Sequence, residues 1–185
     1  MESFLHKLYR QKKIKIEEPS VEIKDAYLQK SSKSLLSAKA VWKIGNLEDA
    51  VAFAYYSMYH CLTALLFRIG IKCENHAASI ILMKEVLGLD NKEISYAKSE
   101  RVDKQYYVDF NITKEDVAEA IKVAEGFNSE IRAFIDKLDQ TSVEKYRKKV
   151  KLLLEEDTMF AAYASEEVLA KDWLSKEDDK AWKNL

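Results

Sequence analysis

The eighteen residues from Ala50 to Phe67, AVAFAYYSMYHCLTALLF, carry no charge, and this run constrains the fold more than any other stretch of the chain. A membrane-spanning helix needs about 20 mostly apolar residues, so length alone would allow a span. The composition of the run argues against one. Tyr55, Tyr56, Ser57, Tyr59, His60 and Thr63 place polar atoms on several sides of the helix, where lipid would leave them costly and unpaired. A helix that is apolar nearly all round is otherwise one walled in by neighbours. The run therefore reads as the central helix of a helical bundle, carrying a seam of tyrosines and a histidine.

Composition agrees. In 185 residues there are only four glycines and one proline, with 48% hydrophobic residues to fill a core. Helix interiors tolerate neither glycine nor proline well, so the expected class is all-α: an up-and-down bundle of four to five core helices with extra C-terminal helices. Thirty basic and 31 acidic residues give a net charge of −1, too little for a global field that attracts nucleic acid. Any RNA contact must be local. Two cysteines, one inside the apolar run, do not make a disulfide framework and fit a reducing compartment. The first residues, MESFLHKLYRQKKIKIEE, lack an apolar signal core, so the expectation is a cytoplasmic protein with no membrane association.

Capping residues set the boundaries. Residues 1–19 form an N-terminal basic segment, with a short helix over 2–14, and end at Pro19. Ser20 caps a helix that stops at Gly45-Asn46. The apolar helix follows from about Leu47 to Ile69, with Gly70 suited to the left-handed position after a helix. Asn75 caps a third helix that ends near Gly88, and a more polar segment runs from about Asn91 to Tyr107. Thr113, with Glu115 and Asp116 in the first turn, opens a long amphipathic helix through Val117, Ile121, Ala124, Phe127, Ile131 and Leu138. Residues 20–139 are thus the bundle, and 140–185 are a C-terminal helical extension. In that extension Thr141 or Ser142 caps a helix with Tyr146, Val150, Leu153 and Leu154 on one face, and an acidic tail bears Trp173 and Trp182.

The order Ala54-Tyr55-Tyr56-Ser57-Met58-Tyr59-His60, followed by Ala64-Leu65-Leu66, resembles the second helix of small prokaryotic HEPN-domain proteins (higher eukaryotes and prokaryotes nucleotide-binding). Gly45-Asn46-Leu47-Glu48-Asp49-Ala50 is similar to that family's first interhelical turn, and Gly70-Ile71 with Asn75-His76 to its next loop. Arg101 with Asp103 and Tyr106-Tyr107 stands where the family carries an Arg-centred motif. The resemblance covers roughly residues 20–138. It implies a homodimer that pairs with a minimal nucleotidyltransferase in a toxin–antitoxin-like or nucleotide-sensing module.

The resemblance also frames the chemistry. In HEPN ribonucleases an Arg steadies the scissile phosphate, and a His four to six residues on serves as acid or base without a metal. Here the spacing from Arg101 reaches Tyr106 and Tyr107, and a phenol with an ordinary pKa near 10 is a poor base at pH 7. The leading expectation is therefore a binding partner and not an enzyme, with Arg101, Tyr106, Tyr107, His76 and Tyr56 as nucleotide or RNA contacts. Some nucleotidyltransferase partners add AMP to a tyrosine near this motif, which would make Tyr106 or Tyr107 a substrate. The alternative is a metal-independent endoribonuclease using Arg101 and Tyr106, or an imidazole recruited from His60 or His76.

The bland readings are packing of the tyrosines in a bundle core or dimer interface, and a hydrogen-bonded core role for His60. Three histidines and two cysteines lie at no metal-ligand spacing, and no Gly-rich phosphate loop is present, so neither metal nor cofactor is expected. A third alternative is a scaffold whose tail, residues 158–185, docks to another protein.

Overall fold

The computed structural model describes residues 3–106 and 112–155, with the side chains of 102–106 outside that description. Seven helices and one pair of short strands occur among the described residues: α1 (Phe4–Arg10), β1 (Ile14–Ile16), α2 (Val21–Lys43), α3 (Leu47–Arg68), β2 (Ile71–Cys73), α4 (His76–Leu87), α5 (Lys92–Tyr106), α6 (Lys114–Asp136) and α7 (Gln140–Glu155). The chain is an all-α helical bundle.

The helix starts follow their caps. The side chains of Ser20, Asn46 and Asn75 accept from the backbone N–H groups of Ile23, Asp49 and Ala78 respectively. Thr113 and Asp116 exchange bonds as a capping box, satisfying two donors that a helix start leaves open. One expected cap differs. At α7 it is the Asp139 carboxylate, and not Thr141 or Ser142, that accepts from the Ser142 N–H at 2.7 Å. An acceptor one turn earlier reaches the first open donors and lengthens the helix N-terminally.

α3 is the central element. It is long and apolar enough to cross a membrane, but 83% of its most apolar window is buried inside the bundle, which makes it a core helix. α2 runs antiparallel to it: Tyr27, early in α2, stacks on Phe67, late in α3, at 5.5 Å and 14°. α6 lies beside both, running parallel to α3, with Arg68 donating to the Leu138 carbonyl at 2.7 Å. Each large aliphatic residue fully buried in this core contributes about 1.5–3 kcal/mol.

The polar atoms of α3 find partners inside the bundle. Ser57 Oγ donates to the Ser31 carbonyl of α2 at 3.0 Å and accepts from Asn128 Nδ2 of α6 at 2.6 Å. Thr63 donates to the Tyr59 carbonyl of its own helix at 2.8 Å. Leu5 and Leu8 of α1, and Val143, Val150, Leu153 and Leu154 of α7, join the same core cluster.

The strand pair is a feature the sequence reading missed. β1 and β2 are antiparallel, with Ile14 opposite Cys73 and Ile16 opposite Ile71. Three residues are too few for an alternating pattern to register, although Ile14, Ile16 and Ile71 are β-branched. The pair ties the N-terminal segment to the loop between α3 and α4, where Glu17 N–H donates to the Gly70 carbonyl at 2.9 Å.

Gly70 has φ +75°, and a Cβ there would collide with the Glu17 carbonyl and the Arg147 guanidinium; Gly88 has φ +70° with nothing near its missing Cβ. A left-handed conformation costs an L-residue about 1–2 kcal/mol, and Gly88→Ala should lose only that. Gly70→Ala should lose about 2–4 kcal/mol, because the collision adds to the strain. Urea unfolding of the two variants measures the difference, and equal losses would mean that the strand clip yields without cost.

Candidate functional site

The site is built where α5 and the start of α4 cross the middle of α3. Arg101 of α5 is 3% exposed. Its Nη1 donates to Tyr56 Oη at 3.0 Å, and its guanidinium carbon lies 5.6 Å from the Tyr55 ring centre and 5.7 Å from that of Tyr56. Both distances are within the range of a cation–π contact. Tyr55 and Tyr56 are consecutive on α3, so one guanidinium bridges the two sides of the tyrosine seam.

His76 is the first residue of α4, fixed by the Asn75 cap. Its Nδ1 shares a hydrogen bond with Tyr55 Oη at 2.6 Å, and its ring stacks on Tyr59 with centres 3.5 Å apart and a 13° tilt. Burial pushes the imidazole pKa down to about 3, helped by Arg101, Lys98 and His60. The helix N-terminus acts in the same direction, since its dipole disfavours a cation.

His60 sits on the α2-facing side. Its Nδ1 is 3.2 Å from Ser34 Oγ, and its ring stacks on Tyr56, one turn earlier, at 6.4 Å and 22°. Burial and then Lys30 lower its pKa to about 4. The neighbouring Tyr59 phenol is pushed above its ordinary range, chiefly by burial.

The structure therefore brings Arg101, Tyr56, His76 and His60 into one connected set. Tyr106 and Tyr107 lie outside what is described, the first in its side chain and the second entirely. From sequence, Tyr55 and Tyr59 belong to a tyrosine group that could stack bases but reads foremost as packing, and Lys98 is not singled out. Tyr55 is the link between Arg101 and His76, and Lys98 is 7% exposed. Helical spacing was the available signal: Tyr59 is four residues from Tyr55, and Lys98 three from Arg101. No group of His, Cys, Asp and Glu able to hold a metal occurs among the described residues.

Chemically, the set offers the cations Arg101 and Lys98, aromatic faces, phenol hydroxyls and two imidazoles that are neutral at pH 7. A general acid or base works best with a pKa near the working pH, and neither imidazole has one. The arrangement suits recognition of an anion or a base better than proton transfer.

Both histidines should weaken the fold in acid. The unfolded chain binds their protons near pH 6.5, whereas the folded chain does so only near 4 and 3. Stability is thus complete above pH 6.5 and falls as pH drops toward those values. Between pH 6.5 and 5, above the main carboxylate titrations, His76→Gln should remove about 1 kcal/mol of that loss, discounting for partial exposure. Urea midpoints at the two pH values test this, and an unchanged slope in the variant would contradict a neutral buried imidazole.

Comparison with known proteins accords with the bundle. A model of the HEPN domain matches residues 25–138. A UPF0332 protein of Archaeoglobus fulgidus is 28% identical over 116 residues, which cover 60% of this chain and 93% of that protein. The matched stretch contains α3, α4, α5, α6 and all but the first turn of α2, hence every residue of the connected set. The chain belongs to the HEPN-domain family of helical, nucleotide- or RNA-associated proteins.

Proposed function

We propose that this chain is a binding protein for a nucleotide or RNA, acting as a homodimeric partner in a toxin–antitoxin-like or nucleotidyltransferase-linked module. The observation that carries this reading is Arg101, a cation held on two tyrosine rings beside imidazoles that stay neutral. Arg101 itself is almost fully covered, so Tyr56 and His60, both half-buried, form the face that a ligand meets. By donating to Tyr56 Oη, Arg101 polarises that hydroxyl and strengthens it as a donor to phosphate. The aromatic faces suit an unstacked base.

Labelled RNA in EDTA should bind and remain intact. Tyr56→Phe should raise Kd about tenfold or more, the worth of a hydrogen bond to a charged group, with helix content unchanged by circular dichroism. Cleavage that leaves 2′,3′-cyclic phosphate ends and is lost in Arg101→Lys would overturn the binding reading. It would establish instead a metal-independent ribonuclease drawing on His60 or His76.

The partner role rests on the family resemblance and on the tyrosines after Arg101. Co-expression with a cognate minimal nucleotidyltransferase should add the mass of one or more AMP groups, lost in a Tyr106→Phe/Tyr107→Phe variant. A stable complex of unmodified mass would remove the tyrosines from the role of substrate.

A further inference from the structure

Away from the tyrosine seam, the end of α4, the start of α5 and the second half of α6 enclose a cavity of about 480 Å³. Its interior is apolar: Met83 of α4, Leu89 of the connection, and Phe127, Ile131 and Phe134 of α6. The size falls within the roughly 300–1,000 Å³ usual for ligand pockets. Asp90, Glu93 and Glu130 stand at the mouth against one cation, Lys137. Lys92 lies 3.8 Å from Asp90, but both side chains are mostly in solvent, where such a pair is worth little. The slot therefore has an apolar floor and a negative mouth.

A matching ligand exists in the chain's own sequence. Trp173-Leu174 is a large apolar pair, and Lys171 and Lys176 flank it. The route also fits. α7 ends at Glu155 with Leu153 and Leu154 buried, and α7 packs against α4, the helix that forms one wall of the slot. The 17 residues from 156 to 172, at up to about 3.3 Å each, reach well past the roughly 18 Å length of α4. Both tail tryptophans have lysines near them, Lys171 and Lys176 about Trp173 (with Asp172 beside it) and Lys180 and Lys183 about Trp182. Trp173 is the one nearer in sequence to the end of α7 and the one paired with a second large apolar side chain, Leu174. The Glu177-Asp178-Asp179 run is repelled by the mouth.

We propose that the slot between α4 and α6 is the docking site for Trp173 of the chain's own C-terminal segment, bound in cis, with Lys171 and Lys176 facing Asp90, Glu93 and Glu130. An aromatic anchor in an apolar pocket ringed by charge complementarity is the usual form of such a contact. The slot is then a peptide-binding groove whose resident ligand is the tail, separate from the Arg101 set.

The test uses the full-length chain with Trp42→Phe and Trp182→Phe, so that Trp173 is the sole tryptophan. Its emission should be blue-shifted, with acrylamide quenching several-fold slower than for free tryptophan. Adding Glu93→Lys and Glu130→Lys, two exposed positions, should speed quenching at least threefold while circular dichroism shows the bundle intact. Three results would overturn the proposal. Trp173 could quench like free tryptophan before any charge reversal, leaving the slot to another occupant. Its protection could persist unchanged after reversal, placing the tail elsewhere. Or protection could disappear on dilution together with a dimer, which would make the docked tail that of a second copy.

Discussion

An apolar helix surrounded by apolar neighbours can turn or slide at small cost, because one aliphatic contact replaces another. Asn128 removes that freedom here. Its Nδ2 donates to Ser57 Oγ at 2.6 Å, and Ser57 in turn donates to the Ser31 carbonyl, so a single chain of bonds joins α6, α3 and α2. Buried polar groups are costly when unpaired, at about 1–3 kcal/mol each, so other registers of α3 forfeit these bonds. Asn128 Oδ1 has no hydrogen-bond partner among the described residues. The clasp is thus imperfect, and we read it as fixing register more than adding stability, the role best attested for buried polar residues.

That register determines what the tyrosine seam can do. One turn of slip in α3 would move Tyr55 and Tyr56 away from Arg101 and separate Tyr59 from His76. With the register fixed, Tyr55 and Tyr59 meet His76 of α4, Tyr55 and Tyr56 meet Arg101 of α5, and His60 turns toward Ser34 and Tyr27 of α2. Burial then decides the charge states. It outweighs the neighbouring cations as the cause of both low imidazole pKa values, and it is the largest cause of the raised Tyr59 value, ahead of Cys73. The set keeps both imidazoles neutral beside the cations Arg101 and Lys98.

Much of the fold was legible because the signals were local. Ser20, Asn46, Asn75 and Thr113 cap helices through bonds that reach only three residues ahead, and the glycines after α3 and α4 mark their ends. The apolar helix was legible from its contents, since its tyrosines and histidine required protein neighbours. The strand pair was not legible, because Ile14 and Cys73 pair across a long stretch of chain with three residues on each side. In the site, His60 with Tyr56 followed from helical spacing. The Tyr55 bridge between Arg101 and His76 did not, since it depends on three helices crossing. The burial of Arg101 was equally hidden, as a lone arginine in a polar helix looks like any solvated cation.

A chain of net charge −1 has no strong overall field, so its charges act where they stand. Arg101 and Lys98 are among the few charged side chains buried within the described bundle, close to the tyrosines and far from bulk solvent. Carboxylates lie in both regions: Glu100, Asp116 and Glu119 line a pocket beside Tyr55, and Asp90, Glu93 and Glu130 line the slot between α4 and α6. Salt screens charges beyond about one Debye length, so neither region steers partners from afar. Each acts only at contact, where desolvation strengthens it. On the two proposals made above, recognition would depend on fit at short range, at the tyrosine seam for phosphate and bases and at the slot for an aromatic segment.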